Sequence, residues 1–243
     1  MTGSAAQRPP AAPIATPPSA GRRTTPRPPA VRRAAKPEPT EPTVTLPEAA
    51  RPPVAPPTDH FGLALYYQRI GEFDNALVHY RALVEQNDGS AEVHNNLGLL
   101  YQDHGQPDDA VKQFRQAIAI DPRYAKAHNN LGVALMRSNQ LGAAALEFRA
   151  ALAADGRNVE SLVNLALVQK ATGRTADARD LLRRAVTLDP RNAGCHYNLA
   201  VVADESGDSA TAVAHYRAFL RFGAVAQADL AAQVRARLTA LGG

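Results

Sequence analysis

The sequence predicts an all-α solenoid of five antiparallel helix pairs, preceded by a proline-rich tail. A 34-residue pattern recurs five times without insertion between residues 57 and 226, and a period of this length is typical of stacked helical repeats. In contrast, the first 57 of the 243 residues hold 16 of the 19 prolines and no Phe, Tyr or Trp. Such a segment buries too little apolar surface to offset its ordering entropy, so we expect residues 1–57 to be disordered.

Four positions of the repeat carry the helix-pair prediction. Position seven is Leu, position eight is small, position twenty is Ala and position 24 is large and apolar. The Leu and the large residue are expected to face each other across the two helices, with the small residues where the helices approach most closely. The frames, here called repeats one to five, are 57–90, 91–124, 125–158, 159–192 and 193–226. Position 24 is Tyr80, Phe114, Phe148, Leu182 and Tyr216.

The helix ends also have sequence signals. Position 15 is Gly or Asn in every repeat, which suits the left-handed backbone that ends a first helix. Pro107 suits the start of a second helix, while Pro122 and Pro190 fall where no helix continues. The first helices are predicted at about 59–70, 92–104, 126–138, 160–172 and 194–206. The second helices are predicted at about 73–86, 107–120, 141–154, 175–188 and 209–222.

The last segment, 227–243, is predicted to cap the repeats of 58–226. Leu230, Val234, Leu238 and Leu241 recur there at helical spacing, and Arg235 and Arg237 lie off that stripe. A solenoid needs a terminal helix to cover its last open apolar face.

The repeat resembles the tetratricopeptide repeat family. Repeat two matches the family pattern at seven positions, with His94 where Trp is frequent; the matches are Leu97, Gly98, Tyr101, Ala110, Phe114, Ala117 and Pro122. The sequence departs from the family pattern at four positions. Tyr is usual at the positions of Gln169 and Ala203, and Ala is usual at those of Leu83 and Phe219. The resemblance implies a right-handed superhelix whose concave groove, lined by the first helices, binds peptides or partner proteins. It does not identify the partner, since one fold serves many functions.

A row of asparagines is the main candidate binding site. Position six is Asn96, Asn130, Asn164 and Asn198 in repeats two to five, and Gly62 in repeat one. An amide both donates and accepts hydrogen bonds, so one per repeat could pair with the main chain of an extended peptide. The row is similar to the asparagine ladder in the repeat region of protein O-linked N-acetylglucosamine transferases. The alternative is that Asn belongs to the repeat consensus and is solvated.

Neighbouring groove residues are expected to set specificity. Asn95, Asn129 and Tyr197 flank the row, and Val133, Leu167 and Val201 offer apolar contacts. Three bases lie centrally, namely Lys126, Arg137 and Lys170, and the acids Glu92, Asp103, Asp204 and Glu205 lie toward the ends. An extended segment with an acidic centre would suit this pattern. Alternatively, these are ordinary solvated charges.

Catalytic, metal and cofactor sites are not predicted. His60, His94, His128 and His196 recur once per repeat, too far apart to converge on zinc, and are interpreted as packing residues. Cys195 is predicted to be an inert thiol. The carboxylate clamp of chaperone adaptors is disfavoured, because only Asn96 and Lys126 match its pattern. We therefore predict a protein that is not an enzyme and has no cofactor.

Charge and hydropathy limit the location and the partners. The tail carries a net charge of +5, which leaves −1 for residues 58–243 of the +4 chain and excludes a basic folded nucleic-acid-binding domain. The tail could add weak, salt-sensitive attraction to nucleic acid or anionic lipid. Without an apolar run of about 18 residues or a signal sequence, the expected location is cytoplasmic. If the true start lies upstream, a membrane tether or the periplasm is the alternative.

The predicted function is a non-enzymatic bacterial scaffold that binds an extended segment of a partner protein. One alternative is an accessory subunit that delivers substrates to a separate enzyme. Another is an assembly factor for an envelope, secretion or pilus machine. The partner's identity and any self-association are left open by the sequence.

Overall fold

A computed structural model of the chain describes residues 59–86 and 89–242, which form eleven α-helices and no strand. The prediction of a disordered tail at 1–57 lies outside these residues. The helices are α1 His60–Ile70, α2 Phe73–Glu85, α3 Ala91–Asp103, α4 Pro107–Ile120, α5 Ala125–Arg137, α6 Leu141–Ala154, α7 Val159–Ala171, α8 Thr175–Leu188, α9 Ala193–Glu205, α10 Ser209–Gly223 and α11 Ala228–Ala240. The odd-numbered helices up to α9 are the first helices of the five repeats. None of the eleven combines the length and apolar character needed to cross a bilayer.

The predicted helix boundaries hold to within about one residue. The first helices of repeats two to five begin one residue earlier than predicted, and three of them have a side-chain cap on the preceding residue. Ser90 accepts a hydrogen bond from the backbone of α3, and Asn158 and Asn192 do the same for α7 and α9. These caps satisfy N–H groups that the first turn of a helix leaves unpaired.

The turn inside each helix pair confirms the role of position 15. The backbone φ is positive at this position in every repeat, from 57° at Asn139 to 82° at Gly71. Side chains with a Cβ seldom adopt this conformation, which explains the choice of Gly or Asn.

The core of each pair is built around the residue at position 24, which is completely buried in all five repeats. In repeats two and three a phenyl ring lies directly on the backbone of the first helix. A Cβ at Gly98 would lie 2.5 Å from the ring of Phe114, and one at Gly132 would lie 2.6 Å from the ring of Phe148. Position eight is therefore small because the ring of the same repeat occupies that space.

Successive pairs pack together through apolar clusters that cross the repeat boundaries and through contacts between their first helices. Leu165 and Val168 of repeat four belong to the same apolar cluster as Phe148 of repeat three. The first helices also contact one another directly, α3 with α5, α5 with α7, and α7 with α9. This stacking places residues of neighbouring repeats side by side on the surface that the first helices form.

Helix α11 packs on repeat five as predicted for a cap. Val234 and Leu238 are buried in the same cluster as Tyr216. The ends of α11 contribute less, since Leu230 and Leu241 are only partly buried.

Arg237 lies off the apolar stripe as predicted, but the sequence analysis did not predict its contact with Asp204. Its guanidinium donates to both carboxylate oxygens of Asp204, at 2.6 and 2.7 Å, and the Tyr216 hydroxyl also donates to that carboxylate. A bidentate, charge-assisted contact therefore fixes the cap in addition to apolar packing.

Candidate functional site

A pocket of about 490 Å³ opens on the first-helix surface between α3, α5 and the start of α7. Five of its nine lining residues are asparagines. The lining consists of Asn95, Asn96, Leu99, Lys126, Asn129, Asn130, Asn158, Val159 and Glu160. Five of the predicted groove residues therefore lie together, namely Asn95, Asn96, Asn129, Asn130 and Lys126.

The asparagines at positions five and six bind one another across the repeat boundary. Asn130 Nδ2 donates to Asn95 Oδ1 at 2.8 Å, and one repeat later Asn164 Nδ2 donates to Asn129 Oδ1 at 3.2 Å. The direct contact between first helices brings these residues together. Neither sequence-based interpretation anticipated this role, in which the amides join successive repeats.

The asparagine row is not equally accessible along its length. Asn164 is completely buried and Asn198 is 5% exposed, whereas Asn96 and Asn130 are half-buried and line the pocket. The burial of Asn164 and Asn198 keeps a peptide from reaching their side chains in this conformation. The accessible part of the predicted ladder is therefore the pair in repeats two and three.

The network between repeats ends in repeat four. Position five is Val163 there and Tyr197 in repeat five, so Asn198 meets no amide at the position that Asn95 and Asn129 fill earlier. Within the described ranges, Asn164 Oδ1 is buried and has no hydrogen-bond partner.

The accessible pair retains unused hydrogen-bonding groups. Asn96 Oδ1 accepts from Asn95 Nδ2 at 3.3 Å, but Asn96 Nδ2 has no partner among the described residues. Asn130 uses its Nδ2 toward Asn95, and its Oδ1 has no partner in the same part of the chain. One donor and one acceptor at the pocket match the needs of a peptide group.

Three predicted groove residues, Tyr197, Val133 and Val201, belong to the core instead. Tyr197 is completely buried, with its ring 6.3 Å from that of Tyr216 and 5.4 Å from that of Phe219. Val133 is 7% exposed and packs in the cluster shared by repeats three and four. The prediction that they line the groove is corrected, because Val133 packs in a cluster with residues of α7, and Tyr197 and Val201 pack in a cluster with residues of α10 and α11. Leu167 is half-buried.

An acid that the sequence analysis missed lies at the pocket. Glu160 lines it together with Lys126, and burial raises the pKa of Glu160 while the nearby Lys126 partly offsets that rise. The signal was present at position two, which is Glu92, Lys126 and Glu160 in successive repeats. The pocket thus contains opposite charges.

The other two predicted bases also have acidic neighbours. Lys170 forms an ion pair with Glu205 of the next repeat at 2.9 Å. Burial raises the pKa of Asp103, and Arg137 of the next repeat partly offsets the rise, so these two are close. Charges on the first-helix surface are therefore balanced between repeats, which removes the reason to expect a partner with an acidic centre there.

The histidines at position four bind position 23 of the same repeat. His94 contacts Gln113 and His128 contacts Glu147, both at 2.7 Å. In repeats one and five the partner is a second histidine at 2.9 Å, giving the pairs His60–His79 and His196–His215. Repeat four has Leu at both positions. These contacts agree with the packing interpretation, and no group of three or more metal-ligating side chains occurs in the described ranges.

Cys195 is 1% exposed, and burial raises the pKa of its thiol to about 12. A thiol with so high a pKa is a poor nucleophile near neutral pH, in keeping with the prediction that it is inert.

Comparisons with solved structures give the same architecture. The chain is 22% identical to pilF of Pseudomonas aeruginosa (TM-score 0.64, 75% of this chain and 90% of that one). It is 21% identical to PilW, described as a type IV pilus biogenesis factor (TM-score 0.62, 74% and 91%). MamA from Desulfovibrio magneticus RS-1 is 20% identical (TM-score 0.60, 67% and 92%). No curated protein sequence matches the chain. At these identities the structural likeness shows the fold.

Family profiles identify the repeat directly. One tetratricopeptide repeat profile matches residues 95–159 and 163–229, and a second matches residues 58–123. The first profile alone covers more than half of the chain. The chain belongs to the tetratricopeptide repeat family.

Proposed function

We propose that this protein is a non-enzymatic interaction scaffold whose asparagine pocket binds the main chain of an extended segment of a partner protein. The tetratricopeptide repeat fold supports protein partners in general. The observation that carries the specific proposal is the pair Asn96 and Asn130, because each has one amide atom, Nδ2 or Oδ1, that lacks a partner among the described residues.

The chemistry of the pocket favours main-chain recognition. A peptide C=O can accept from Asn96 Nδ2, and a peptide N–H can donate to Asn130 Oδ1. Leu99 and Val159 add apolar contact for small side chains of the segment. Because Lys126 and Glu160 have opposite charges, the pocket does not select strongly for an acidic or a basic ligand. Its volume of about 490 Å³ lies within the range typical of ligand sites.

The experiment is affinity capture from a native bacterial lysate with the full chain. The test variant carries Asn96→Ala and Asn130→Ala, and the control is Asn75→Ala, an exposed asparagine on α2 whose side chain donates to Glu72. Circular dichroism confirms that all three proteins fold equally. We expect a partner that the wild type and the control retain and that the test variant loses. If the test variant retains every partner, the pocket does not bind them.

The identity of the captured protein then separates the roles predicted from the sequence. A catalytic chain would indicate an accessory subunit that delivers substrates. A component of an envelope, secretion or pilus machine would indicate an assembly factor.

A further inference from the structure

A row of arginines runs along the second-helix face of the solenoid. Position 25 is arginine in every repeat, immediately after the buried residue at position 24. All five side chains are exposed. They are Arg81, Arg115, Arg149, Arg183 and Arg217, here called the arginine row. The row lies on the second helices, whereas the asparagine pocket lies on the first helices.

Neither the helix dipole nor ion pairing accounts for arginine at this position in every repeat. In α4, α6 and α8 the arginine is the ninth of 14 residues, outside the last turn where the helix dipole favours a cation. Intrahelical pairing explains only Arg183, whose guanidinium is 3.8 Å from Asp180. The other four have no acidic side chain within salt-bridge distance among the described residues.

The surroundings of the row are also basic. From position 25 to the end of each frame, every other basic residue is again arginine; these are Arg184, Arg221, Arg123, Arg157 and Arg191. The described acids in the same stretches are Glu85, Asp121, Asp155 and Asp189. The three aspartates accept backbone N–H bonds in the loops, at 2.9 to 3.3 Å, and so have a structural role. The other acids of the second helices lie before position 25, so the excess of positive charge is confined to the part of each repeat from position 25 onward; these acids are Asp74, Asp108, Asp109, Glu147, Asp177 and Asp180.

We propose that the arginine row binds an acidic, extended segment of a partner protein, with guanidinium groups pairing with its carboxylates. The planar guanidinium matches a carboxylate in a bidentate fashion, which Lys does not. Packed helices lie roughly 8–10 Å apart, and second helices of successive repeats do not pack on one another as first helices do, so the arginines lie at least about 10 Å apart. An extended chain advances about 3.3 Å per residue, so the full row spans at least about 12 residues.

Two other polyanions fit this face less well. Single-stranded nucleic acid is bound with aromatic side chains that stack on bases. The aromatic residues beside the row at position 24 are completely buried, and the half-buried Phe222 near Arg221 occurs in repeat five alone among the second helices described. A membrane-surface helix needs a continuous apolar stripe. Position 22 beside the row has exposed Val78 and Leu146, but Lys112 and Asp180 interrupt them.

The test measures binding of poly-L-glutamate to the full chain at low salt. The test variant carries Arg115→Gln, Arg149→Gln and Arg183→Gln. The matched control removes the same charge from exposed arginines elsewhere, namely Arg69, Arg174 and Arg235. Since exposed ion pairs contribute modestly, we expect about tenfold weaker binding for the test variant and about twofold for the control. The basic tail is unchanged in both variants.

Equal weakening of both variants would overturn the proposal, because binding would then depend on net charge alone. It would also be overturned if phosphatidylserine vesicles or oligothymidylate bound more tightly than polyglutamate and required the same three arginines. The test variant keeps Asn96 and Asn130, so a result that contradicts binding at the arginine row does not contradict binding at the pocket. In the same way, a result that contradicts binding at the pocket does not contradict binding at the row.

Discussion

The substitution Asn129→Ala tests whether the asparagines hold the repeats together. Asn129 is 4% exposed and lies at the boundary between repeats three and four. Its Oδ1 accepts from Ser161 Oγ at 3.0 Å and from Asn164 Nδ2 at 3.2 Å. Alanine removes this acceptor and leaves two completely buried donors in place.

The expected loss of stability follows from the two buried donors that no longer have an acceptor. A buried polar group without a partner costs about 1–3 kcal/mol. The Ser161 hydroxyl can rotate about its C–O bond toward another acceptor, which places its cost near the lower end. The buried Asn164 Nδ2 has no second acceptor among the described residues, so its cost is expected to be higher. We therefore expect Asn129→Ala to lower the free energy of unfolding by about 2–4 kcal/mol.

The assay is urea unfolding of the full chain followed by circular dichroism. Asn95→Ala is the matched comparison, because Asn95 accepts from the half-buried Asn130, which water can reach, and should cost only about 1 kcal/mol. The exposed Asn75→Ala should change stability by less than about 0.5 kcal/mol. A loss for Asn129→Ala no larger than that for Asn75→Ala would refute a structural role for the network.

Three further substitutions test the packing, the cap and the histidine pairs. Gly132→Ala places a Cβ 2.6 Å from the ring of Phe148, and thermal unfolding should show a loss of about 1–3 kcal/mol despite the better helix propensity of Ala. Arg237→Met removes the guanidinium from the carboxylate of Asp204 but keeps the hydrogen bond from the Tyr216 hydroxyl; we expect a loss of about 2 kcal/mol and faster amide exchange in α11. Burial, then its partner histidine, lowers the pKa of His215 below 6.5. The folded state thus binds fewer protons than the unfolded state, and stability should fall as pH drops below 6.5, less so in His215→Gln, as thermal unfolding across that range would show.

Much of the fold could be predicted from local rules that the 34-residue period repeats five times. Glycine at position 15 predicts a left-handed backbone in each repeat, and both Gly71 and Gly173 have a positive φ. A large apolar residue at position 24 is buried between the two helices of its pair, since each pair must bury the apolar stripes that face each other. The structural role of these positions depends only on contacts within their own repeat, so it can be predicted from the sequence.

The site was less predictable because it depends on contacts between repeats. Asn96 and Asn164 occupy the same frame position, yet one lines a pocket and the other is completely buried. The amide at position six needs an amide at position five of the preceding repeat, and Val163 interrupts that arrangement. Tyr197 was misplaced for a similar reason, since an aromatic residue at position five enters the core beside α11. The residue at one position of the repeat therefore does not show which side chain of the adjacent repeat it will contact.

Positions that change together between repeats separate structural residues from candidates for binding. At positions four and 23 the pair is His with His, Gln or Glu, and in repeat four Leu162 with Leu181, so each residue is accounted for by its internal partner. The amide of Asn129 is accounted for in the same way. Binding is best sought where a repeated polar residue has no partner that varies with it. The described chain offers two such places, the amides of Asn96 and Asn130 and the arginine row. Since these lie on different helices of each pair, one scaffold could hold two segments at once, and the two sets of variants separate them.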